Sequence, residues 1–95
     1  MNIQITNAKY LKDYLIEITF LDGKINKIDF KEFISNYHAY PEYRDIERFK
    51  QFKIENGNIV WGINWDIIFH IEDLYNNTIN HHQKNTEEIY QTINL

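Results

Sequence analysis

The sequence predicts a small antiparallel α+β fold, a sheet built from two β-hairpins with short helices packed on it. Three observations carry this. Apolar and polar residues alternate in separate stretches of the chain, the period of half-buried strands. Two turn dipeptides, Asp22-Gly23 and Asn56-Gly57, interrupt those stretches. Short runs with helical spacing of apolar residues lie elsewhere.

Taken in order, Ile3 and Ile5 alternate with polar residues and suggest a short strand, and Asn7-Ala8-Lys9 reads as a turn. Tyr14, Ile16, Ile18 and Phe20 then alternate with Leu15, Glu17, Thr19 and Leu21, giving the clearest strand in the chain. The register selects the turn that follows. A two-residue Asp-Gly loop would place the apolar residues of its two strands on opposite faces. A three-residue loop, Leu21-Asp22-Gly23, pairs Phe20 with Lys24, Ile16 with Ile28 and Tyr14 with Phe30, and the apolar faces agree. Asp29 with Glu32 fits a helix start with Asp in the capping role, and Phe30, Phe33 and Ile34 carry the helix to about Ser35-Asn36. Residues 37–44 read as a loop holding Pro41, and Asp45 is placed to cap a short turn of helix through about Arg48.

A second strand pair is expected from Phe49 to Glu55 and from Asn58 to Trp61. Here a two-residue Asn56-Gly57 loop of type I′ pairs Ile54 with Ile59 and Phe52 with Trp61. Ile16, Ile18, Phe20, Ile54, Ile59 and Trp61 are thus the expected inward set. Gly62-Ile63-Asn64 breaks the strand, Asp66 to Phe69 is a short extended run, and Ile71, Leu74 and Tyr75 begin a helix. The domain reading is one α+β unit over 1–75, followed over 76–95 by a polar spacer and a short C-terminal helix. On that helix Ile89, Tyr90 and Ile93 share a face that the chain's own sheet, a second copy or a different protein would cover, the last case making it a partner-binding arm.

Composition excludes several chemistries. There are no cysteines, which removes disulfides, thiolate nucleophiles and thiolate metal sites. No apolar run approaches the length of a membrane span, about 20 residues. The first residues lack the basic and apolar regions of a secretion signal, so the cytoplasm is the expected location. The net charge of −4 weighs against a general attraction to nucleic acid. Seventeen isoleucines and twelve asparagines stand against two alanines, the skew an AT-rich coding sequence produces, so the aromatic content is discounted as a sign of base stacking.

An ordered set of short motifs runs through the chain. It comprises Phe20-Leu21-Asp22-Gly23, Ile28-Asp29-Phe30, Tyr43-Arg44-Asp45 with Phe49, Ile59-Val60-Trp61, Asp66-Ile67 and Leu74-Tyr75. In order and spacing this resembles a family of small bacterial proteins known as domain-of-unknown-function family 2442, over about Ile5 to Tyr75. The resemblance implies a small fold of strands and short helices with no established enzymatic activity and no agreed catalytic residues. It also implies gene arrangements that look like toxin–antitoxin pairs, some members carrying a helix-turn-helix domain after this one. Two departures stand out. Gly62 follows Trp61 where the family tends to have proline, and the segment after Tyr75 is too short for a DNA-binding helical domain.

His38, His70, His81 and His82 have no zinc-site spacing, and adjacent histidines on a helix point about 100° apart, so no metal or other cofactor is expected. Ser35 is the only serine and lacks nucleophile-elbow glycines, and the three glycines are isolated, which leaves no phosphate-cradling loop. The chain is therefore read as not an enzyme. Arg44, Arg48, Lys50 and Lys53 form a basic run able to contact phosphate or an acidic partner, with Glu42, Asp45, Glu47 and Glu55 interleaved. Trp61 is expected in the core. Trp65, flanking a loop near Tyr40 and Tyr43, is a candidate interface anchor. The expectation that follows is a non-catalytic protein-interaction module, antitoxin-like or defence-associated, binding a small protein from a neighbouring gene. A nucleic-acid-binding regulatory domain and a structural homodimer are the alternatives.

Overall fold

Ile16 and Ile18, two residues apart on a strand, point to the same face, and neither reaches water. They sit on β2 (Leu15–Phe20), the middle strand of a three-stranded antiparallel sheet between β1 (Ile5–Lys12) and β3 (Ile25–Asp29). This computed structural model describes residues 2–36 and 39–79.

The β2–β3 register is the expected one. Ile16 faces Ile28, the Gly23 amide donates to the Phe20 carbonyl at 2.9 Å, and the Phe20 amide donates to the Lys24 carbonyl at 2.8 Å. Gly23 holds the left-handed turn position at φ +96°. Asp29 Oδ1 accepts the Lys31 amide at the start of α1 (Lys31–Asn36), as the capping reading requires.

The expected turn at residues 7–9 is not there, because β1 runs straight through it. Asn7, Ala8 and Lys9 pair with Thr19, Ile18 and Glu17. Ile5 and Ala8 both touch the core although three residues apart, and the register shift between Ile5 and Asn7 absorbs the extra residue. A bulge of this kind breaks the period of two that marks a strand, so the segment reads as irregular in sequence.

The middle of the chain is a 3-10 turn (Pro41–Arg44), where a loop was expected, followed by α2 (Ile46–Phe49). Asp45 occupies the N-cap of α2, but its side chain makes no capping bond. The strand expected from Phe49 is shorter. Phe49 closes α2, its amide donating to the Asp45 carbonyl, and its ring is wholly buried against Trp61 at 5.6 Å. Core packing of that ring outweighs strand propensity.

Extended structure resumes at β4 (Lys53–Glu55), which pairs with β5 (Asn58–Trp61). The type I′ turn holds, with Asn56 and Gly57 both at positive φ and Ile54 opposite Ile59. Ile54 is not inward, however. It stays 37% exposed, because β4 is a three-residue edge strand and its side chains lie at the rim. After the turn at 62–65, β6 (Ile67–Ile68) pairs with the other side of β5, and α3 (Ile71–Asn76) follows.

The strands thus divide into two three-stranded sheets, β1-β2-β3 and β4-β5-β6, rather than forming one. β1 and β3 occupy both sides of β2, so the second hairpin cannot add to it. The sheets meet where the Ile5 amide donates to the Gly57 carbonyl at 2.8 Å. Between them lies one core centred on Phe20, Phe30, Phe49 and Trp61. The α3 end is fixed by Asn26 on β3, whose Nδ2 donates to the Leu74 and Tyr75 carbonyls at 2.9 and 2.7 Å. Asn77 then turns left-handed, and Ile79 is buried. The rest of the expected spacer, with Ile89, Tyr90, Ile93 and the histidines His38, His81 and His82, lies outside the described residues.

Candidate functional site

Trp61 ends β5 in the core, with its Nε1 donating to the Phe49 carbonyl at 2.7 Å. The four residues after it make a tight turn. Gly62 takes φ +89°, Trp65 takes φ +56°, and the Trp65 amide closes back on the Gly62 carbonyl at 3.2 Å. Only glycine fits at 62. A Cβ there would lie 2.4 Å from Asp66 Oδ2 and 2.9 Å from the Tyr43 hydroxyl. The turn pushes Ile63 out at its tip, 94% exposed.

One flank of this turn is the wall of an open groove of about 700 Å³. Arg48, Gln51, Phe52 and Lys53 line it too, together with Glu42, Tyr43 and Asp66. The Tyr43 hydroxyl donates to Asp66 Oδ2 at 3.3 Å. Burial, then the Asp66 charge and the bond to it, push that hydroxyl above the usual tyrosine value. Gln51 and Asn64 add neutral donors and acceptors, so the groove suits polar and charged groups of both signs.

The other flank faces away from the core. Trp65 Nε1 donates to Glu55, which fixes the indole against the outer face of the second sheet. Val60 points to that same outer side, because Ile59 and Trp61, its strand neighbours, are both part of the core. Val60 is buried all the same. Ile68, opposite Val60 in the register, is 46% exposed, and Trp65 is 42% exposed. Ile63, Trp65 and Ile68 thus present three large apolar side chains to solvent within six residues of chain.

The residues singled out from sequence fall in different places. Trp65 is in the 62–65 turn, 42% exposed. Tyr43 is buried and lines the groove, and Tyr40 packs beside it with ring centroids 6.4 Å apart. The basic run is split. Lys50 pairs with Glu47 at 3.4 Å and lies over the Tyr10 ring, and the Arg44 carbonyl accepts the Tyr14 hydroxyl. Only Arg48 and Lys53 line the groove. Sequence reasoning missed Ile63 and Ile68, whose neighbours gave no sign of which faces would be covered. Among the described residues no group of three or more His, Asp or Glu is placed to hold a metal ion, and no helix is long and apolar enough to cross a membrane.

The family described as "Protein of unknown function (DUF2442)" matches residues 5–80. The chain belongs to that family. No curated protein and no solved structure matches it. The DUF2442 segment takes in both sheets, the groove and the 62–65 turn, so the whole candidate surface is part of the family domain.

Proposed function

We propose that this DUF2442 protein is a non-catalytic protein-interaction module, an antitoxin-like or defence-associated protein that binds a small partner encoded beside it. The observation that supports this most is the surface of Ile63, Trp65 and Ile68. Scattered exposed apolar residues are ordinary, but three large ones so near in the chain, one of them a tryptophan held by Glu55, fit a docking face. Trp65 supplies a large contact area, and its indole is already held by Glu55, so little conformational freedom is lost on binding. Arg48 and Lys53 share a groove with Ile63, and Glu42 and Asp66 line it as well, so charges of both signs are available to orient a partner.

The test is co-expression with the product of the adjacent gene, followed by co-purification and titration. The expected result is a stable complex that Trp65→Ala weakens by about 30-fold or more, the scale of an interface anchor. A complex indifferent to Trp65→Ala and Ile63→Asp would place the contact elsewhere. Failure of the two proteins to associate at all would remove the reading.

A further inference from the structure

We infer that α3 is a strap that opens separately from the rest of the domain, with Tyr75 as its catch. This stands whether or not the 62–68 surface binds a partner. The two ends of the strap are held by different means. Just before its start, the Phe69 ring packs among Phe30, Phe33 and Trp61, with centroids 5.4, 4.8 and 6.2 Å away. Asn58 Nδ2 donates to the Phe69 carbonyl at 2.8 Å, which ties this point to β5. The helix then begins from extended backbone at His70, with no side-chain cap. That end is anchored in the core.

The far end is clasped by the β2–β3 hairpin. The Tyr75 hydroxyl donates to Asp22 Oδ2 at 2.5 Å, its ring meets Phe20 edge-on at 5.0 Å, and Lys24 Nζ lies 4.1 Å from the ring centroid. The turn itself presents the carboxylate, because the Lys24 amide donates to Asp22 Oδ1 at 2.9 Å. The Tyr75–Asp22 bond holds the carboxyl below its usual value and the hydroxyl above its own, so each group is kept in the form that makes the bond. Asn26 on the Leu74 and Tyr75 carbonyls, and Asn77 Nδ2 on the Lys27 carbonyl at 3.3 Å, complete the clasp.

Little else holds the strap down. Leu74 and Ile79 are its buried residues, with Ile71 and Tyr75 covered in part, and the Tyr75–Asp22 bond is exposed to solvent. β2, by contrast, buries Ile16, Ile18 and Phe20 and is paired on both sides. Segments with few buried apolar contacts and exposed hydrogen bonds open before the core does. A helix of six residues does not keep its shape away from its packing, so release of the clasp unwinds it. Opening bares the Phe20 ring and the Lys27 carbonyl on the outer edge of β3.

Hydrogen exchange of the full chain, followed amide by amide at low denaturant concentrations, tests this. After correction for intrinsic rates, the amides of 74–78 should exchange about 10-fold or more faster than those of β2, with a weaker dependence on denaturant. Tyr75→Phe keeps the ring and removes the hydroxyl bond, and should speed exchange at 74–78 by about 3-fold or more. Phe49→Leu separates the strap from the domain. Phe49 packs on Tyr14 at 5.0 Å, at the opposite end of β2 from Phe20, so the variant weakens the core without touching the clasp. It should speed exchange in β2 and leave 74–78 unchanged, because the core around Phe49 stays intact when the strap opens. Ile16→Val, a smaller loss in the middle of β2, repeats the comparison and should give the same pattern. Equal acceleration of 74–78 and β2 in these two variants overturns the strap. Unchanged exchange at 74–78 in Tyr75→Phe overturns the catch.

Discussion

Gly62 is the residue on which the candidate surface turns. At φ +89° it is in a region that side chains rarely enter, and a Cβ would press on the Asp66 carboxylate and the Tyr43 hydroxyl at once. Gly62→Ala should therefore destabilise the chain by about 2 kcal/mol or more, combining backbone strain with a displaced hydrogen bond. An unchanged thermal melt would show that the turn relaxes freely. Tyr43 beneath it gives a pH prediction. Its folded-state value is raised above 10.0 by burial and by Asp66, so the folded chain keeps the phenolic proton when the unfolded chain has lost it. The associated stability is whole below pH 10 and declines as the pH rises past that value. Melting temperature followed from pH 8 to 11 should fall less steeply in Tyr43→Phe than in the wild type. Parallel curves would count against the assignment. None of this was legible in sequence. Tyr43 reads as a loop tyrosine, and only the approach of Asp66, twenty-three residues on, makes it a buried one.

At the scale of elements, the hairpins were legible and their neighbours were not. Turn dipeptides and a period of two act over a few residues, so Ile16 against Ile28 and Ile54 against Ile59 could be paired without any tertiary information. β1 could not, because its bulge spoils the alternation and its partner is chosen by the open edge of β2. Asn26 is a second case. A polar residue on the inner face of a strand looks like a defect, yet it satisfies two carbonyls at the end of α3. Asn26→Ala should cost about 1–3 kcal/mol, since both carbonyls lose a part-buried donor. Hydrogen exchange should quicken first in residues 71–77. A uniform loss of protection across both sheets would mean that α3 is not an independent unit.

At the scale of the whole molecule, the buried core runs from Ile5 to Ile79 and unites two small sheets, neither of which could cover its own apolar face. Among the described residues this core closes on itself by Ile79. Removing residues 86–95 should leave a cooperatively folded domain, with a melting temperature within a few degrees of the full chain. Circular dichroism and size exclusion on the truncated chain check this. Unfolding would make the segment part of the core. Loss of partner binding with the fold intact would assign Ile89, Tyr90 and Ile93 to a partner-binding arm. Loss of neither would leave the 62–68 surface as the contact.

The sequence by itself determined the class of fold, the turn type and register of both tight hairpins, the α1 start and the burial of Trp61. These follow from forces that act between near neighbours, namely steric limits at Gly23 and Gly57, alternation along a strand and capping by Asp29. Only the tertiary structure decided that the strands divide into two sheets, that Phe49 closes a helix, and that Ile54 lies at a rim. It also decided that Arg48 and Lys53 share a groove while Lys50 turns away to Glu47. Each of these depends on which distant surface is free to cover an apolar face or answer a charge, and local spacing carries no record of that.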